Sequence, residues 1–120
     1  MKPLTWIGSS LRDLKEMPEE VRGDIGHALY VAQGGLKHID AKPLQGFGGA
    51  GVLEVVERHD GDTYRAVYTV KFEEAIYVLH CFQKKSKSGT ATPKADVDLI
   101  KSRLKTAQEE HEKWIEKNKK

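Results

Sequence analysis

Apolar positions along the chain change period three times. Near the N-terminus, Leu4-Thr5-Trp6-Ile7 is β-branched and aromatic, which predicts a short strand, and Ser9-Ser10 then offers an N-cap for a brief helix near 10–16. The period next turns helical, with Val21, Ile25, Ala28, Leu29 and Ala32 on one face until Gly34-Gly35 ends the pattern. Pro18 at the first helical position and Glu19 and Glu20 in the first turn support a helix over 18–33. Gly23 and Gly26 each cost it about 1 kcal/mol against alanine, so it depends on packing. Three runs of strand character follow, 52–59, 63–71 and 75–83, separated by Asp60-Gly61-Asp62 and Glu73-Glu74, which predicts an antiparallel meander. After Thr92-Pro93, a cap and first-turn proline, Val97, Ile100, Leu104, Ala107, His111 and Trp114 recur at three- and four-residue steps. They predict a long helix with one narrow apolar seam and a charged, frayed end over 116–120. The fold class expected is α+β: an N-terminal helical hairpin on a small antiparallel sheet, the last helix closing one side and one sheet face open.

Length and composition narrow the class. At 120 residues the chain is too short for two full cores and is expected to be one domain, 1–120. With 38% hydrophobic positions it is too rich in core residues to be disordered. Cys81 is the single cysteine, which excludes an internal disulfide and any zinc site built on cysteines, and it fits a reducing compartment. The first residues lack the apolar run of a signal peptide, and no window approaches the roughly 20 apolar residues of a membrane helix. A soluble, cytoplasmic protein is expected. Net charge is only +2, yet residues 84–105 hold seven cations and two acids. A local basic block is what an anion site leaves in a sequence, although a solvated surface leaves the same trace.

Few motifs carry chemistry. Gly46-Phe47-Gly48-Gly49-Ala50-Gly51 matches G-x-G-x-x-G, but a strand pattern follows it where a dinucleotide fold needs a helix, so it reads as a mobile loop leading into the sheet. The five histidines show no metal-ligand spacing, no G-x-S-x-G elbow is present, and nothing beside Cys81 would stabilise a thiolate. His80, near the end of a strand, is either a packing residue or an acid/base group. Arg65 is more informative because it falls mid-strand in the centre of the meander, where burial without a partner is costly. It either pairs with a carboxylate such as Glu54 on the neighbouring strand or faces an anionic ligand, and both hold if Glu54 orients it. Phe82-Gln83-Lys84-Lys85 ends the adjacent strand with an aromatic and two cations; alternation sends Phe82 and Lys84 to one face and Lys85 to the other.

The order of segments and four strings carry a resemblance. Lys42-Pro43-Leu44-Gln45-Gly46, Gly51-Val52-Leu53-Glu54-Val55, Tyr64-Arg65-Ala66-Val67-Tyr68, and Ile76 to Ser86 followed by Thr92-Pro93 are similar to the HigB-type, phage-derived branch of the RelE/ParE toxin superfamily. The likeness spans most of the chain and is most specific in the arginine strand, then in Leu79-His80-Cys81-Phe82-Gln83-Lys84-Lys85; the N-terminal third matches only in element order. It implies a RelE-like fold and the toxin of a type II toxin–antitoxin pair: a ribosome-dependent endoribonuclease that cuts mRNA without cofactor or metal and is neutralised by a helix-turn-helix antitoxin. Arg65, Lys84 and Lys85 match the family's catalytic cations, and His80 is a further acid/base candidate. Glu54, Phe82, Tyr68 and Lys42 are the substrate-binding or orienting candidates. Relatives nearer RelE often use a tyrosine close to the C-terminus, and this chain has none after Tyr77. Two other readings stay open on the same fold. One is a ParE-like toxin that binds a protein target such as DNA gyrase, and the other is an inactive phage-derived regulatory module.

Overall fold

Asp60 and Gly61 both take positive φ, 48° and 82°, the backbone hand that closes a two-residue hairpin without splaying its strands. They join β3 (Val52–His59) to β4 (Asp62–Thr69), and β5 (Ile76–Lys84) returns beside β4, completing the antiparallel meander. A computed structural model describes residues 1–48, 51–84 and 92–119. Within these, two short strands flank the meander. β1 (Leu4–Trp6) pairs parallel with β5, and β2 (Ala41–Pro43), which hydrophobic patterning does not announce, pairs antiparallel with β3. The sheet order is β1-β5-β4-β3-β2, so the sheet is mixed rather than wholly antiparallel.

Helices cover both faces. α1 (Ser10–Lys15) and α2 (Glu19–Gln33) form the expected hairpin, although Pro18 is the N-cap residue of α2 and Ser9 makes no cap hydrogen bond to α1. Val21, Ile25, Leu29 and Ala32 of α2 pack with Val55, Ala66, Tyr68, Ile76 and Val78 in one core. The second core, Val52, Val67, Tyr77 and Leu79 with Ile100 and Ala107, lies under α3 (Lys94–Lys117). The expected open face is therefore corrected: α3 crosses the sheet on the side opposite the hairpin. Its seam follows the predicted one as far as His111, with Ile100, Ala107 and His111 buried and Val97 and Leu104 partly so, whereas Trp114 is exposed. The tail is ordered further than its charge suggests, since the helix runs to Lys117 and Asn118 caps it through backbone and side-chain bonds to the Trp114 carbonyl at 3.0 and 2.7 Å. A chain of polar groups, running from buried Tyr77 and His111 out to the exposed Glu74, ties this end of α3 to the sheet. Tyr77 Oη and His111 Nδ1 are 2.9 Å apart, and His111 Nε2 and Glu74 Oε1 are 2.9 Å apart.

One irregularity decides what the second face carries. Opposite Val67 lies His80, but opposite Tyr68 lies Val78, so Leu79 is an extra residue in β5. Before this bulge the even residues Ile76 and Val78 face the hairpin; after it Cys81 does, and Phe82 joins the α3 side. Strict alternation would have aimed His80 and Phe82 at the hairpin. The bulge turns them to the face that holds Arg65.

Candidate functional site

Alternation along β3 and β4 places Glu54 and Arg65 on the α3 side of the sheet, because their neighbours Val55 and Ala66 pack against the hairpin. Lys42 is directly across from Glu54 in the β2–β3 register, and Phe82 across from Arg65 in β4–β5. The four side chains thus come from four adjacent strands. Arg65 Nη1 donates to Glu54 Oε2 at 2.9 Å, and both residues are buried, with 4% and 5% exposure. A pair held this deep gains Coulomb energy that surface pairs lose to water, and offsets a desolvation cost that surface pairs escape. Thr92, at the start of the segment leading into α3, stands beside the pair: its Oγ1 accepts from Arg65 Nη1 and donates to Glu54 Oε2, both at 3.4 Å. The other carboxylate oxygen, Oε1, is 3.9 Å from the Lys42 ammonium, which is mostly exposed.

A cleft of about 510 Å³ opens in front of this group, lined by Lys42, Pro43, Leu44, Gln45 and Gly46 on one side and by Glu54, Thr92 and Val97 on the other. Arg65 lies behind the Glu54 and Thr92 wall. Among the described residues its charge reaches the cleft through the carboxylate it holds. Lys84 is buried to 7% exposure. Burial first, and then the neighbouring Arg65 charge, pulls its ammonium below the usual lysine range, against a smaller opposing pull from Glu54. Lys42 and Arg65 thus contact one carboxylate, and Lys84 feels the charges of both Arg65 and Glu54. Lys101 of α3, 6.0 Å above the Phe47 ring, adds another cation next to the turn.

Not every expected residue joins this group. His80 stacks on Phe82, with ring centroids 4.3 Å apart and planes 12° from parallel, and its Nε2 is 2.8 Å from Asp96 Oδ1 at the start of α3. Burial pushes its pKa below the ordinary histidine value, and the Asp96 carboxylate offsets only part of that. A neutral ring donating from Nε2 leaves Nδ1 as an acceptor, and among the described residues Nδ1 has no hydrogen-bond partner. His80 helps line a second hollow, of about 340 Å³, with Asp13, Glu16, Tyr64 and Gln83. That hollow is separate from the cleft beside Glu54. Tyr68 is not brought to the site at all: it is fully buried in the hairpin core, with its hydroxyl pushed up to about 12 by burial. The Cys81 thiol is likewise buried and raised to about 12, which suits packing rather than chemistry. Lys85 lies outside the described residues, as do Gly49 and Ala50 of the glycine run, which leads into β3 rather than into a helix.

Two residues of the site are not singled out for chemistry in the sequence. Thr92 reads as a helix cap, and Asp96 as an acid in a first turn, where the helix dipole alone accounts for it. Among the described residues, no group of three metal-ligating side chains is close enough to hold a metal ion, and no helix is long and apolar enough to cross a membrane.

Comparison with known proteins places this architecture. Residues 12–105 match the family described as Phage derived protein Gp49-like (DUF891). No curated protein matches the chain. Among solved structures the chain is similar to the E. coli toxin RelE, an arginine-to-alanine double mutant in the free state, with a TM-score of 0.54 and 17% identity over 88% of this chain and 96% of that one. At that identity the likeness concerns the fold. The match over most of the chain and the shared RelE fold agree with the strings quoted above, and the chain belongs to the phage-derived Gp49-like family.

Proposed function

We propose that the protein is the toxin of a type II toxin–antitoxin pair and acts as a ribosome-dependent endoribonuclease on mRNA in the cytoplasm, with a helix-turn-helix antitoxin as its inhibitor. The observation that carries this reading is the carboxylate of Glu54 at the wall of a cleft, paired with Arg65 at 2.9 Å and facing Lys42 at 3.9 Å, with the charge of Lys84 felt from further along the sheet. Cleaving RNA through its own 2′-hydroxyl requires a base for that hydroxyl, an acid for the departing 5′-oxygen, and positive charge where the phosphorane gathers negative charge. Glu54 is the group placed to take the 2′-hydroxyl proton. The 2′-oxygen then bonds to phosphorus, the bond to the 5′-oxygen breaks, and the products are a 2′,3′-cyclic phosphate and a 5′-hydroxyl. Lys84, with its lowered pKa, is the proton donor to the leaving oxygen, and Lys85 is the alternative. Lys42 at the rim contacts the phosphate, while Arg65 keeps Glu54 in place and supplies a fixed charge behind it. Phe82 and the His80–Asp96 pair support Arg65 from the side, since Phe82 faces it across the strand pair. Much of the alignment of RNA is left to the ribosome, which holds the message extended in its decoding site.

Induced expression in a bacterial host tests the proposal. New mRNA 5′ ends within translated codons are expected, and they should vanish for Glu54→Gln, which keeps volume and one hydrogen-bond acceptor. Growth arrest without new ends would replace this reading with binding to a protein target such as DNA gyrase. No arrest together with intact messages would favour an inactive regulatory module.

A further inference from the structure

We infer that Thr92 is a positioning residue for the Glu54 carboxylate, an inference that rests on the nuclease reading above. Pro93 is the N-cap residue of α3, so Thr92 stands one residue outside the cap position that its sequence context suggests. The hydroxyl is spent on the ion pair instead. It bridges Arg65 Nη1 and Glu54 Oε2 at 3.4 Å each, while Arg65 Nη1 also reaches that oxygen directly at 2.9 Å. Glu54 Oε2 is therefore held from two directions, and Oε1 is the oxygen left toward Lys42 at the cleft.

Two contacts on one oxygen do what one cannot. A carboxylate fixed only by Arg65 can pivot about that bond, sweeping Oε1 through an arc across the cleft. The second contact from Thr92 stops the pivot, so the lone pair that removes a proton points one way. Both 3.4 Å contacts are long for hydrogen bonds, as such contacts commonly are before substrate closes a site. Because Thr92 leads directly into α3, it also ties the direction of the carboxylate to the seating of the helix. The sequence places a hydroxyl here, and both atoms it bridges are polar groups of the site.

The test compares Thr92→Val, which keeps the shape and removes the hydroxyl, with Thr92→Ser, which keeps the hydroxyl. Single-turnover cutting of ribosome-bound mRNA and binding to the same complex are measured for each. Thr92→Val should cut about tenfold more slowly, the scale of one lost hydrogen bond to a charged group, with binding unchanged within about twofold. Thr92→Ser should restore the rate to within about threefold of the parent chain. Wild-type rates for Thr92→Val, equal losses in both variants, or a loss matched by weaker binding would each overturn the role. A parent chain that does not cut would overturn the nuclease reading and this role with it, whereas failure confined to the Thr92 comparison overturns this role alone.

Discussion

Arg65 and Glu54 answer each other's burial, so neither can be removed without consequence for the other. Arg65→Ala leaves a carboxylate inside the protein without its main partner, and the expected cost is about 3–5 kcal/mol of folding stability. Glu54→Gln leaves the guanidinium an acceptor and should cost about 1–3 kcal/mol. Urea unfolding of the two variants checks the order; an Arg65→Ala variant within about 1 kcal/mol of the parent would contradict the pairing. Loss of activity in Arg65→Ala is therefore read only beside its stability. His80 gives a prediction in pH. Its pKa in the folded protein lies below that of the unfolded chain, so on acidification the unfolded state gains its proton first. The stability of the neutral ring is fully present above about pH 6.5 and is lost as pH falls through the folded value. In His80→Gln this part of the acid slope should disappear, and an unchanged slope between about pH 7 and pH 5 would remove His80 from that role. The partnership of Arg65 with Glu54 is readable in the sequence because a mid-strand arginine demands a carboxylate nearby. The lowered pKa of Lys84 is readable too, from the crowding of cations, although burial contributes more than charge. The depth of Arg65 is not, because it depends on what α3 and its approach cover.

At the scale of elements, the extra residue Leu79 in β5 does most to shape the site. Counting by twos from Ile76 sends His80 and Phe82 into the hairpin core, and only the bulge brings them beside Arg65. Nothing in the string Ile76 to Lys84 marks the bulge, since every residue in it suits a regular strand. Tyr68 lies next to the same irregularity and packs on the hairpin side, which is why it does not reach the residues its strand shares with the site. β2 is hidden for a different reason: three residues with Lys42 and Pro43 among them carry no apolar alternation, and their pairing depends on β3 being there first. The meander itself is legible through its turns. Gly61, at φ 82°, has open space around it, with no atom within 4 Å of the place an added methyl group would take, so Gly61→Ala isolates backbone strain from crowding. It should cost about 1–2 kcal/mol in thermal or urea unfolding. A neutral result would mean that the turn can change its hand without disturbing β3 and β4.

The whole molecule sets a sheet between two unlike helical layers. The hairpin layer covers a dry core of aliphatic and aromatic residues, and the α3 layer covers a core that gives way to charge toward the start of the helix. The charged groups of the candidate site are thereby confined to the α3 face. The modest net charge of +2 hides this arrangement, because acids on α2 and the strands balance the cations gathered near residues 84–105. On the nuclease reading, RNA binding should fall with added salt, since lysines displace counterions from phosphates, and salt-independent binding would count against that reading. Fold class and element order are legible from periodicity and turn chemistry, and the resemblance supplies the family. The cleft is not, since Lys42, Gln45, Glu54 and Thr92 meet only after β2 joins the sheet and α3 closes over it.

The most direct measurement is a reconstituted translation reaction with one defined message, the purified protein, and end-group analysis of the RNA, run with and without ribosomes. Cuts are predicted only when ribosomes are engaged on the message, with 2′,3′-cyclic phosphate on one side and 5′-hydroxyl on the other, and none with Glu54→Gln. Intact message in the presence of ribosomes, or equal cutting by Glu54→Gln, would contradict a nuclease built on this carboxylate.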